Sequence, residues 1–239
     1  ADFVVLNNPK TVEIDSVYKN GYKATLKHVA PVVCDEDLMH TVMIPEIVKG
    51  DIQIKRRDKN DVIEIEAGTL LTKHLKEEVP GYVYFEPNEK YSKVVVIERH
   101  GRNGNVATGI LKGYGIENGA LGSTIAHDSH NMIIAGDNDD DILLAAKELE
   151  KMQGGYVLIK DHQVFHRVAC PIAGLMSTQS AARLAPLVME LQLGAHEMGI
   201  PENIDPFQTL SFLSLPVIGQ IRILDTGVYD VDKGEFVEQ

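Results

Sequence analysis

The chain has 239 residues, 44% hydrophobic and 24% charged, which is ordinary globular composition and enough for one large or two small domains. Thirty-five acidic residues against twenty-three basic ones give a net charge of −12. That balance argues against nucleic-acid and anionic-membrane partners and favours a neutral or cationic ligand. The two cysteines form no CxxC pair, no apolar run reaches membrane length and the N-terminus lacks a signal-like pattern. A reducing cytoplasm is therefore the expected setting.

Residues 1–8 read as a strand closed by Asn7-Asn8-Pro9, and residues 12–18 as a second strand before a tight turn at Asn20-Gly21. Opening on a strand without preamble implies that the chain continues something upstream. Ile52 and Ile54, then Ile63, Ile65 and Ala67, alternate with polar residues. Residues 52–67 are accordingly predicted to be a hairpin turning at 58–61. Residues 69–79 are either a short helix or an ordered linker, and a domain boundary is placed after residue 78, beside Pro80-Gly81.

The β-branched run Lys93-Val-Val-Val-Ile-Glu-Arg-His100 predicts a strand buried on both faces. Seven glycines between Gly101 and Gly122 predict the most irregular backbone of the chain. Residues 137–141 mark a helix N-terminus, with Ile142, Ala145, Leu149 and Met152 as its apolar stripe and Gly154-Gly155 as its end. A hairpin around Asp161-His162 follows. A second helix is predicted over 179–198, with Leu184, Val188, Leu191 and Ala195 on one face and Pro186 near its start. Residues 207–213 read as a short helix, and 221–224 and 228–231 as closing strands. Frequent hairpins among the helices favour an α+β fold of mixed α/β layers over an all-parallel sheet.

His127, Asp128, Ser129, His130 and Asn131 stand between two apolar runs. Two imidazoles and a carboxylate within four residues can bind a metal, move a proton or hydrogen-bond a heterocycle. On extended backbone, however, His127 and Ser129 face one way and Asp128 and His130 the other, and no fourth ligand has recognisable spacing. A site that contacts substrate or orients another group is favoured over a metal site, beside the plain alternative of a self-satisfied turn. Glu98 and His100 end the buried strand, where sheets place ligand contacts; a structural ion pair with Arg99 is the other option.

The glycine-rich stretch 112–119 lacks a Walker Lys-Ser/Thr and reads as tight turns, and no nucleophile elbow surrounds Ser129. Residues 171–177 and 210–216 read as core packing or an interface. His28, His40, His74 and His162 have no partner visible in sequence and are taken as surface groups.

Residues 109–120 running into Ser123-Thr-Ile-Ala-His-Asp-Ser-His-Asn131 resemble the C-terminal domain of bacterial adenine deaminase. So do Glu98-Arg-His100, residues 171–177 and residues 206–216, in the family's order. Residues 1–6 and 17–21 resemble the strands by which an amidohydrolase chain leaves its barrel and completes a small β-sandwich. The loop at 102–107 departs from the family pattern.

The resemblance implies β-sandwich strands and linker over residues 1–78 and an α/β C-terminal domain over 79–239. It also implies a preceding TIM-like barrel that is not in this chain. The implied activity is hydrolysis of adenine to hypoxanthine and ammonia, with a divalent metal, manganese or iron, in that barrel and none held by this chain alone. His127, Asp128 and His130 become candidate catalytic residues at the barrel mouth, and Glu98, His100, Ser129 and Asn131 candidate substrate contacts. The implied partners are adenine, the barrel of the same protein and further copies in a homo-oligomer. A non-catalytic purine-binding or oligomerising module is the alternative, and a self-sufficient metal hydrolase a third reading.

Overall fold

The computed structural model describes residues 2–25 and 34–238. The chain separates into two compact units, Ala1–Val33 and Cys34–Gln239. In the smaller unit Phe3–Asn8 (β1), Glu13–Lys19 (β2) and Tyr22–Lys23 (β3) form an antiparallel three-stranded sheet. Asn20 and Gly21 take φ of 53° and 80°, the two left-handed residues that a tight hairpin turn needs.

The larger unit is built on an eight-stranded sheet. Its strands are Asn60–Ile65 (β4), Thr72–Glu77 (β5), Tyr91–Ile97 (β6), Val106–Lys112 (β7), Gly119–Ser123 (β8), Met132–Gly136 (β9), Gly155–Lys160 (β10) and Gln163–Ala169 (β11). They lie in the order β11-β10-β8-β9-β6-β7-β4-β5, and every neighbouring pair is antiparallel except β4 with β7. One face is covered by helix Asp139–Lys151 (α1), whose Ile142, Ala145 and Leu149 pack on Val95, Ile97, Ile134 and Val157.

The other face takes Ala181–Glu197 (α2), Pro206–Phe212 (α3) and a small sheet of Ile221–Leu224 (β12), Gly227–Asp230 (β13) and Glu235–Val237 (β14). Leu191, Leu210, Ile223 and Val228 pack there with Val94, Val96, Ile133 and Leu158. Every residue of β6 is buried because both its faces are covered, as its unbroken β-branched run predicts. Each of its buried Val and Ile side chains contributes about 1.5–3 kcal/mol.

The helix ends follow local rules. Asn138 caps α1 by accepting from Asp141 N, with three aspartates in the first turn. Asp205 caps α3 from Gln208 N at 2.9 Å, and Pro206 supplies the first helical residue. Helix α2 buries Leu191, Gly194 and Ala195 in its C-terminal half. The half that contains Pro186 stays largely exposed.

Several sequence expectations change. Residues 52–67 are not a hairpin: Ile52 closes a 3-10 turn, and only Asn60–Ile65 is a strand. The Asn60 side chain accepts from Arg57 N and donates to Lys55 O, which folds the approach into a turn. Residues 69–79 are neither helix nor linker, because pairing of β5 along the whole of β4 overrides the helix propensity of Lys, Leu and Glu. Residues 101–122 hold two core strands, β7 and β8. The compact units meet at 33/34, whereas the boundary expected after residue 78 falls between two strands of one sheet.

His74 is not a surface group. Its ring lies between Asp61 Oδ1 at 2.5 Å and Asp230 Oδ2 at 3.2 Å, joining the large sheet to the small one. His162 is exposed beside Asp141 at 3.0 Å, and His28 lies outside the described residues. Among the described residues no helix is long and apolar enough to cross a membrane.

Candidate functional site

The five polar residues sit in the connection from β8 to β9, at the end of the sheet where β6 also stops. They are not extended. Residues 127–129 form a turn, His130 takes a left-handed φ of 51°, and His130 N donates to Ala126 O at 2.7 Å. The alternation expected of an extended strand is therefore replaced by a loop that brings the His127 and His130 rings together in a T-shaped arrangement, with centroids 6.0 Å apart. His127 N donates to Ser211 O at 3.1 Å, and its ring meets Phe212 edge-on at 4.6 Å. Asp128 and Ser129 are exposed, His127 and His130 half-buried, and Asn131 buried.

Arg99 fixes this turn. Its side chain is buried at the end of β6, where Nε donates to His130 O at 2.5 Å and Nη2 to Ala173 O at 3.2 Å. The loop at 171–177 wraps the guanidinium closely: a Cβ on Gly174 would lie 2.6 Å from Nη1. Burial lowers the Arg99 pKa to about 10, so the group stays charged at neutral pH. His130 is held below the usual histidine range, first by burial and then by repulsion from His127 and Arg99. Its imidazole is consequently neutral under ordinary conditions and can accept a proton.

Glu98 has a structural task and forms no ion pair with Arg99. Its carboxylate accepts from His100 N at 2.6 Å and Arg102 N at 2.9 Å, and from Asn103 N and Gly104 N at 3.2 Å each. Burial works to raise its pKa, but these four N–H groups together hold it below the ordinary carboxylate range. His100 Nε2 lies 3.0 Å from Ser129 O. Glu98, His100, Ser129 and Asn131 border one open cavity of about 410 Å³, with Arg102, Asn103 and Asp225.

His127 borders a different space, a groove of about 290 Å³ between the turn, α2 and α3. Val188, Leu191 and Gln192 come from α2, and Asp205, Phe207, Gln208, Ser211 and Phe212 from α3 and its cap. Ile125 and Tyr156 complete it. The seven candidates thus divide, with His127 facing the groove and four others facing the opposite cavity.

Sequence reasoning missed Arg99 as the anchor, and it read residues 210–216 as packing although Ser211 and Phe212 line the groove. The Asp205-Pro206 capping pair was the available signal for where α3 begins. Among the described residues no three His, Cys, Asp or Glu side chains converge as metal ligands.

Residues 69–235 match the family described as the adenine deaminase C-terminal domain. The chain belongs to this family. It is similar to the adenine deaminase of Desulfitobacterium hafniense (strain Y51), 38% identical over 240 residues that cover 99% of this chain and 42% of the relative. Adenine deaminase of Halalkalibacterium halodurans is 34% identical over 250 residues, covering 100% of this chain and 43% of the relative. That of Nitratidesulfovibrio vulgaris (strain DP4) is 43% identical over 173 residues, or 71% of this chain and 30% of the relative.

The chain therefore spans less than half the length of these curated relatives. The adenine deaminase C-terminal domain is seen here as mixed α+β layers on an open sheet, and both cavities beside residues 127–131 lie within the matched stretch.

Proposed function

We propose that this chain works as the C-terminal part of an adenine deaminase, a hydrolase that turns adenine and water into hypoxanthine and ammonia. It presents the turn of residues 127–130 to the mouth of a preceding barrel. The observation that supports this most is the pair of imidazoles held in a T-shaped arrangement on a turn pinned by Arg99 and by the Ser211 carbonyl.

In this reading His127, Asp128 and His130 close over the substrate and exclude water, and the neutral His130 ring accepts or passes a proton. Asn131 Oδ1 and His130 Nδ1 are buried without a hydrogen-bond partner and have capacity to spare, whereas Glu98 already serves four backbone groups. Of the proposed substrate contacts, Asn131 is therefore better supported than Glu98. A divalent metal, manganese or iron, held by the barrel would supply activated water. Adenine, that barrel and further copies of the same protein are the partners, in the cytoplasm. A purine-binding or oligomerising module without turnover is the second reading, supported by the groove beside His127.

The test uses the complete enzyme with barrel and C-terminal part together. His127→Ala and His130→Ala are each expected to lower ammonia release from adenine by about 10- to 100-fold, with bound metal unchanged. Wild-type kinetics in both variants would overturn the proposal.

A further inference from the structure

Three Asn-Gly steps stand in the chain: Asn20-Gly21, Asn103-Gly104 and Asn118-Gly119. Such a step has a chemistry of its own. The glycine amide nitrogen gives up its proton and attacks the asparagine Cγ; the bond from Cγ to the side-chain nitrogen breaks and ammonia leaves. Water then opens the five-membered imide at either carbonyl, leaving aspartate or isoaspartate. Glycine favours the attack because no Cβ obstructs the approach. The fold decides whether the glycine N–H is free and whether the backbone can move towards Cγ.

All three asparagines are exposed, so exposure does not separate them. The glycine amides do. Gly104 N donates to Glu98 Oε2 at 3.2 Å, and Asn103 N donates to the same oxygen at 3.2 Å. The Asn103 side chain is held as well: Oδ1 accepts from Asn105 N at 2.9 Å, and Nδ2 reaches Asp225 Oδ2 at 3.5 Å. Gly119 N donates to Asp137 Oδ1 at 2.9 Å, and Asn118 N to the other oxygen of that carboxylate. Gly119 also opens β8, where a Cβ would lie 2.0 Å from Ile159 O, so this backbone has no room to shift. A carboxylate acceptor makes a charge-assisted bond, which opposes both loss of the N–H proton and movement of the nitrogen.

Asn20-Gly21 has no such guard. The pair forms the tip of the hairpin between β2 and β3. Among the described residues neither Gly21 N nor the Asn20 side chain has a hydrogen-bond partner. Asp2 Oδ1 accepts from Asn20 N at 2.6 Å, which is the amide before the one that attacks. Strand β3 has two residues, so little pairing resists opening of the tip.

We propose that Asn20 is a site of spontaneous deamidation to aspartate and isoaspartate, and that the Glu98 and Asp137 carboxylates protect the other two steps. The change at Asn20 consumes one water and releases one ammonia, with no oxidant or cofactor. It puts a new carboxylate beside Asp2, so like charges meet at the tip. Isoaspartate also adds a methylene to the main chain, which a two-residue turn does not accommodate in register. This chemistry does not depend on the role of residues 127–131.

The experiment incubates the 239-residue chain in mildly alkaline buffer, folded and in guanidinium, and follows each Asn-Gly peptide by mass spectrometry. In guanidinium the three steps should convert at similar rates. In the folded chain Asn20 should convert at least tenfold faster than Asn103 and Asn118. Glu98→Ala should accelerate Asn103 several-fold and leave Asn118 at its wild-type rate, which also reports that the variant is folded.

Equal rates at the three steps in the folded chain would overturn the proposal. So would an Asn20 slowed by folding as much as the other two, or an unchanged rate at Asn103 in folded Glu98→Ala. If Glu98→Ala fails to fold, Asn118 accelerates along with Asn103, and the ratio of folded to unfolded rates in the wild type decides.

Discussion

The cavities on either side of residues 127–131 contain similar polar residues but differ in how those residues are used. In the cavity bounded by Glu98 and His100, the carboxylate accepts from four backbone amides and the imidazole meets a backbone carbonyl. In the groove on the other side, the Ser211 hydroxyl has no partner and Gln192 forms none of the side-chain hydrogen bonds that hold the neighbouring loops. Satisfied groups hold a loop in shape, and unsatisfied ones are left to meet something else. Asn131 Oδ1, buried without a partner, is the exception in the first cavity, so its carboxylate and imidazole are a poorer guide to spare capacity than that one amide oxygen.

Arg99 is the test with the largest expected effect, since it supports the turn that separates the two spaces. Arg99→Ala leaves the carbonyls of His130 and Ala173 without their donor and opens a void, at about 3 kcal/mol. Chemical denaturation would show it as a lower midpoint with unchanged slope. A loss below about 1 kcal/mol would mean that the turn holds itself, and the contrast between the two sides would lose its hinge.

Glu98→Gln comes next. It keeps the shape but replaces a charged acceptor of four N–H groups, and is expected to cost about 1–2 kcal/mol at neutral pH. Because the folded-state pKa of Glu98 is depressed, its contribution is present above the unfolded value, 4.5. It is lost as pH falls below that value and through the folded one, where the unfolded state binds more protons. The wild-type stability curve should therefore slope more steeply than the variant's below about pH 4.5. Parallel curves would place the carboxylate's role elsewhere.

Ser211→Ala is the smallest. Removing a buried hydroxyl without a partner should change stability by no more than about 0.5 kcal/mol, in either direction. A loss well beyond 1 kcal/mol would show that the hydroxyl is satisfied after all, and the comparison would fail on the groove side.

How much was legible in the sequence depends on the range over which each signal acts. The β-branched run at 93–97 needed only its own composition to read as a doubly covered strand, and Asp137 to Asp141 only local capping rules. The polarity of residues 127–131 marked a break between two strands, which the structure shows as the β8–β9 connection. Their geometry did not follow, because the turn is shaped by Arg99, Ala126 and Ser211, and all three contacts are made to backbone carbonyls that no composition reveals.

The glycines of 101–122 misled for a similar reason. Gly109 and Gly122 are strand residues at close approaches: a Cβ on Gly109 would sit 3.2 Å from Ile223, and one on Gly122 would sit 2.9 Å from Leu149. The groove gathers residues from 125 to 212 by tertiary packing alone. Strand β5 was hidden by helix-forming residues on a sheet edge, where pairing decides the outcome.

The parallel pairing of β4 with β7 has a consequence for the order in which the protein can assemble during synthesis. The hairpin of β4 and β5 leaves the ribosome before its inner neighbour Val106–Lys112, and a two-stranded hairpin is at best marginally stable alone. Its outer strand is fastened later still, when the Thr72 hydroxyl meets Ile221 O at 2.7 Å and His74 meets Asp230. One edge of the sheet is thus finished by residues made well after it, and a nascent chain halted before residue 221 would carry that hairpin only half secured.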